Sequence, residues 1–112
     1  MTEGIIEFAD WEKVDLRVAE IKEIEEIPGS DKLYKLSVDI GTEIRTICAG
    51  IKPYYEKKQL KNKKIIVVVN LAPRKLLGIT SQGMLLAASN ADHTKVILLS
   101  PEKDIEAGSK VR

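Results

Sequence analysis

At 112 residues, 44% hydrophobic and 31% charged, the chain has the make-up of a folded domain and not of a disordered segment. A lone cysteine, Cys48, excludes an internal disulfide and fits a cytoplasmic home, and no apolar run reaches membrane-spanning length or resembles a signal peptide. The net charge of +1 conceals an asymmetry, since residues 1–31 carry −7 and residues 52–75 carry +7, which points to an anionic partner unless the fold interleaves the two blocks.

Residues 8–15 read as a short helical turn with Asp10 as its N-cap. Leu16 to Ile27 read as a long strand. Leu16 and Val18 fall on one face and Ala19 and Ile21 on the other, a change of phase that predicts a bulge or a strong bend. Pro28-Gly29-Ser30-Asp31 is a turn. Tyr34, Leu36, Val38 and Ile40 alternate with polar residues, and Gly41-Thr42 turns that strand back into Glu43–Ile51, making a hairpin. Pro53 is expected at the first position of a short helix ending near Leu60. After a polar loop over residues 61–64, Ile65–Leu71 is a continuous apolar run, as in a strand buried on both faces. Ala72-Pro73-Arg74-Lys75 leaves that strand, and residues 78–83 read as a loop. Met84–Ala88 and Val96–Leu99 read as strands about a turn at Asn90-Ala91-Asp92, and Pro101 starts a tail.

This order predicts an all-β chain with one short helix. Five strands with the helix between the third and fourth is the layout of an OB-fold barrel, here with an extra N-terminal helical turn and an extra C-terminal strand. One domain is expected over residues 1–112. Five segments then stand in register: Val14-Asp15-Leu16-Arg17-Val18-Ala19, Pro28-Gly29-Ser30-Asp31-Lys32-Leu33-Tyr34, Thr46–Ile51, Val69-Asn70-Leu71-Ala72-Pro73-Arg74, and Gly78–Ala88 with its Ser81-Gln82-Gly83-Met84 core. Together they resemble the tRNA-binding-domain family over roughly residues 8–112. That family includes the C-terminal part of many methionyl-tRNA synthetases and free-standing tRNA-binding proteins; an export-chaperone-like branch shares the fold, and this sequence resembles it less, because its Gly29-Ser30-Asp31-Lys32-Leu33 and Ser81-Gln82-Gly83-Met84 segments match the tRNA-binding branch. The resemblance implies a non-catalytic homodimer that binds tRNA, with Phe8, Trp11, Val96 and Leu98 at the dimer interface. A chain that starts at a methionine and holds little beyond the domain is expected to be a free-standing accessory (β) subunit of methionyl-tRNA synthetase, or a partner acting in trans.

By the same resemblance, the tRNA face maps onto Lys32, Asn70, Arg74, Lys75, Ser81, Gln82 and Met84, extended by Lys35, Arg45 and Lys52. These residue types suit the task. Phosphate contacts dominate affinity for nucleic acid, Arg grips phosphate bidentately, and folded RNA is read largely by shape. Each position also has a plain structural reading. Lys32 is an exposed turn lysine, Asn70 an amide satisfied by backbone, Ser81–Gly83 an ordinary turn, and Met84 a core filler. Lys57, Lys58, Lys61, Lys63 and Lys64 read as a diffuse electrostatic fringe. Aromatic residues make up only 4%, which argues against a protein that coats single strands by base stacking.

With one cysteine and one histidine, His93, no structural zinc site is expected, and neither metal nor cofactor is implied. No phosphate-binding glycine loop occurs, and no motif sets a nucleophile against a base. Two other readings compete with tRNA binding. A peptide-binding chaperone-like dimer on the same fold needs an exposed apolar groove, of which the loops show little sign. A protein-docking assembly subunit would hold a synthetase without affinity for tRNA.

Overall fold

The computed structural model describes residues 3–112. In chain order its elements are α1 (Phe8–Glu12), β1 (Leu16–Glu26), β2 (Tyr34–Asp39), β3 (Ile44–Ala49), α2 (Lys57–Leu60), β4 (Lys64–Val68), β5 (Arg74–Leu76), β6 (Ile79–Ser81), β7 (Met84–Leu85), β8 (Ala87–Ser89), β9 (Val96–Leu98) and β10 (Lys110–Val111). The main sheet runs β3-β2-β1-β4-β7 with antiparallel neighbours, and β10 joins the start of β1. Strands β5 and β6 form one small hairpin, β8 and β9 another. The sheet curls until β3 meets the segment between β6 and β7, closing a nearly complete five-strand OB-type barrel.

Two apolar clusters account for the phase change in β1. Ala19 and Ile21 face the barrel interior with Leu36, Val38, Ile47, Ile65 and Val67. Leu16 and Val18 face outward and pack with Ile66 and Val68 under Leu86 and Val111. Where β1 pairs β4, from Leu16 opposite Val68 to Ala19 opposite Ile65, both strands are therefore buried on both faces. The bulge exists but lies further on. The register against β2 shifts between Ile21 and Glu23, and this brings Ile24 to the core side with Ala19 and Ile21.

Several local expectations need correction. Glu7, not Asp10, is the N-cap of α1: its carbonyl accepts the Asp10 and Trp11 N–H groups, which places Asp10 inside the single turn. Pro53 sits in a turn closed by the Tyr54 and Tyr55 N–H groups on the Ile51 carbonyl. Helix α2 starts only at Lys57, behind a Glu56 N-cap whose N–H is accepted by the Gln59 side chain at 2.7 Å. Strand β4 ends at Val68, leaving Leu71 exposed. The Met84–Ala88 stretch is two short strands, because β7 pairs β4 while β8 pairs β9. The tail after Pro101 returns as β10 beside β1.

Arg17 ties this tail to the barrel. Its guanidinium grips Asp15 at 2.6 and 3.2 Å and donates to the Gly108 carbonyl at 3.3 Å. The hydrogen bond and charge of Arg17 hold the Asp15 carboxyl below the ordinary value of 3.8. A carboxylate depressed in the folded state stabilises it above the unfolded pKa, and that contribution fades as pH falls through the folded pKa. Arg17→Met is thus expected to lower the melting temperature at neutral pH. The gap to wild type should narrow progressively below about pH 4. Thermal melts between neutrality and strong acid check this; a gap independent of pH refutes it.

Candidate nucleic-acid interface

Basic residues mark a nucleic-acid surface only where no carboxylate already neutralises them. The acidic end of β1 lies against the lysine-rich α2 segment, so the fold does interleave the two charge blocks. Glu26 binds Lys52 at 2.8 Å and Lys57 at 3.4 Å, Glu23 meets Lys61 at 3.3 Å, and Glu25 lies 3.9 Å from Lys35. Lys58 pairs with Glu56 and Lys64 with Asp104. The two lysines hold the Glu26 carboxyl below the usual carboxylate range, Lys52 more strongly, and Glu26 in turn raises Lys52. Among the described residues, Lys32, Lys63, Arg74, Lys75, Lys95, Lys103, Lys110 and Arg112 have no carboxylate partner. Lys32, Arg74 and Lys75 are the three of these singled out from sequence, and they lie on or beside one hairpin.

Arg74 and Lys75 do not lie on a loop. They form β5, which pairs β6 with Arg74 opposite Ser81 and Lys75 opposite Thr80, so residues 74–81 make a hairpin that projects from the barrel seam. Ser81 anchors it. Its side chain is buried at 4% exposure, its hydroxyl accepts the Cys48 N–H at 3.0 Å and donates to the Gly83 carbonyl at 3.1 Å. Gln82 continues the seam: its N–H donates to the Thr46 carbonyl at 2.8 Å, and its side-chain oxygen accepts the Thr46 N–H at 3.0 Å. Here a hydroxyl and an amide do what a strand ladder does elsewhere. Ser81 is therefore corrected from a surface contact to a positioning residue, since nothing outside the barrel can reach its hydroxyl. Ser81→Ala leaves a buried N–H unmatched and is expected to cost about 1–3 kcal/mol, read by urea unfolding. A cost near zero would show that the hydroxyl is not needed at the seam.

Asn70 has a similar double engagement. Its side-chain oxygen accepts the Asp15 N–H at 2.8 Å and its amide donates to the Lys13 carbonyl at 2.5 Å, which clamps the stretch before β1 onto the end of β4. Arg45 is half-buried; it pairs with Glu43 at 2.9 Å and donates to the Val69 and Gln82 carbonyls. Met84 is 48% exposed, so it is a surface residue and not core filler. Around the hairpin these groups gather into two hollows. At its base, Arg45, Asn70, Pro73 and Gln82 line a space of about 490 Å³. At its tip, Leu77 faces Lys32, Leu33, Pro53 and Tyr54 across about 650 Å³. Lys35 and Lys52 line neither hollow and are engaged with Glu25 and Glu26, although the Lys52 ammonium also donates to the carbonyl of Ser30 at the rim of the second hollow, at 3.2 Å.

Leu77 and Tyr54 escaped the sequence reading. The signal was present: Leu77-Gly78 is a two-residue hairpin loop with φ of 49° and 80°, flanked by strands in register. The expected interface residues divide differently. Phe8 and Trp11 are exposed, and with Val14 and Val111 they border a hollow of about 250 Å³. Val96 is half-buried. Leu98 is 5% exposed, packs in the barrel core, and its N–H donates to the Tyr55 hydroxyl at 3.0 Å. The outward residues of that strand end are Ile97 and Leu99, because alternation places them opposite Leu98.

Comparison with known proteins agrees with this layout. Residues 16–110 match the family described as "Putative tRNA binding domain". The chain is 57% identical over 106 residues to a methionine–tRNA ligase of Caldanaerobacter subterraneus subsp. tengcongensis, covering 95% of this chain and 16% of that one. It thus spans only a small part of the curated ligases it matches. A crystal structure of a "MetRS related protein" from Pyrococcus horikoshii superposes with a TM-score of 0.90 at 38% identity, covering 96% of this chain and 98% of the other. The CsaA chaperone protein of Picrophilus torridus superposes with a TM-score of 0.86 at 35% identity, covering 96% and 100%. A family match over residues 16–110, nearly the whole barrel, shows that the chain belongs to the tRNA-binding-domain family.

Proposed function

We propose that the chain, acting as one unit over residues 1–112, binds folded tRNA through the face of the β5–β6 hairpin and serves methionyl-tRNA synthetase as a non-catalytic accessory subunit or a partner in trans. The observation that carries this reading is the placement of Lys32, Arg74 and Lys75 beside the hairpin without a carboxylate partner, while most lysines of the 52–64 segment are paired. Exposed Met84 adds apolar contact area, Arg45, Ser81 and Gln82 hold the hairpin at its angle, and Asn70 fixes the stretch before β1 to the end of β4. Such a module raises the local concentration of tRNA near an enzyme without reading its sequence. Its setting would be the cytoplasm, where synthetases work. No helix among the described residues is long and apolar enough to cross a membrane.

The apolar surface of Phe8, Trp11 and Val14 beside Val111 supports a homodimer through the α1 side of the barrel, with Ile97 and Leu99 as further exposed apolar groups. The same exposure, with the likeness to a protein named as a chaperone, favours peptide binding as a second reading. Titrating the protein into labelled folded tRNA at two salt concentrations, against unstructured RNA and duplex DNA, separates the two. Preference for tRNA with a steep salt dependence supports the first reading. Binding to unfolded polypeptide without tRNA preference selects the second.

A further inference from the structure

The tip of the β5–β6 hairpin breaks a local rule. A two-residue loop with positive φ at both positions favours Asn-Gly or Asp-Gly, because short polar side chains and glycine tolerate the left-handed region. Here the first position is Leu77, at φ 49° and 61% exposed. A bulky apolar residue is held in a strained conformation and in water at once. Strain of this kind persists where function requires the side chain.

What Leu77 overlooks gives it a task. The hollow that it lines is shared with Tyr54, Pro53 and Leu33, and with Lys32 and Asp31. The Tyr54 hydroxyl donates to the His93 carbonyl at 3.0 Å, which fixes the ring in place. The space of about 650 Å³ lies within the range of small-ligand sites. An apolar wall, a fixed aromatic ring and a lysine without a carboxylate partner match the face of a nucleobase and the phosphate attached to it. Asp31 supplies an acceptor for the N–H edge of that base. Arg74 and Lys75 on the hairpin arm extend the phosphate path.

We propose that this hollow is a subsite for a single unstacked base of the bound RNA, held between Leu77 and Tyr54, with Lys32 on its phosphate. This deepens the tRNA reading and rests on it. A one-base subsite needs only one aromatic ring, which accords with the low aromatic content.

The decisive variant is Leu77→Asn. It removes the apolar wall and installs the residue that the turn itself prefers. Fluorescence anisotropy with labelled folded tRNA is the readout, at two salt concentrations and alongside thermal melts. L77N should melt at or above the wild-type temperature, yet bind tRNA roughly 5- to 100-fold more weakly, as the loss of one stacked base entails. The salt dependence should not change, because no phosphate contact is lost. Leu77→Met, which keeps an aliphatic side chain, should retain wild-type affinity. The proposal is overturned if L77N binds tRNA as tightly as wild type, or if its weaker binding comes with a shallower salt dependence. Wild-type protein without tRNA preference over unstructured RNA would remove the parent reading, and this one with it.

Discussion

Replacing Lys32, Arg74 and Lys75 together with alanine is expected to weaken tRNA binding by about 10- to 100-fold at moderate salt, and to flatten the slope of log affinity against log salt by about two to three. The argument is one of neutralisation. A cation already facing a carboxylate gains from a phosphate only after giving up its partner, whereas these three have none among the described residues. All three are exposed, so their loss should leave the melting temperature close to wild type. The informative control removes the same formal charge from paired positions, Lys57, Lys58 and Lys61, which meet Glu26, Glu56 and Glu23. That variant should lose several-fold less affinity. Equal losses from the two triple variants would mean that net charge alone attracts the RNA and that the hairpin face is not its site.

Gly83→Ala is expected to destabilise the barrel by about 3 kcal/mol, a drop of about 10 °C or more in melting temperature. Gly83 has φ of +140°, a conformation L side chains rarely adopt, and a Cβ there would lie 2.7 Å from the Val68 carbonyl oxygen and 3.4 Å from Val67 Cγ1. Backbone on β4 cannot yield without disturbing the pairing of Val68 with Met84. The residue stands directly beyond the Ser81–Gln82 seam, so relief of the clash would open the barrel where one backbone bond and two side chains close it. Gly50→Ala provides the contrast: no atom lies within 4 Å of its added Cβ, and it should be nearly neutral. A Gly83→Ala protein as stable as wild type would show that the seam tolerates movement.

Local rules made much of this chain legible from sequence alone. Alternation set the inward face of β2, where Tyr34, Leu36 and Val38 are all buried, and the unbroken apolar run marked β4 as buried on both faces. The turn at Gly41-Thr42 placed the β2–β3 hairpin correctly. Registered segments, Ser81-Gln82-Gly83-Met84 among them, pointed to the family now matched over residues 16–110. These features depend on neighbours a few residues away, where residue type and period decide the outcome.

Tertiary structure decided the rest, because it depends on residues distant in sequence. Whether Lys52 is free or paired is set by Glu26, and whether Lys64 is free is set by Asp104, so a run of lysines cannot announce which of them still carry an unanswered charge. Ser81 turned inward because the barrel closes against Cys48, 33 residues earlier. Leu98 turned inward because its strand packs beside Tyr55, which exposes Ile97 and Leu99 instead. The sequence by itself determined the long strands β1 to β4 and the family they build, while the short strands β5, β6 and β10 were not legible in it. Only the closed barrel, by bringing distant charges and polar groups to hydrogen-bonding distance, decided which side chains remained available to a partner.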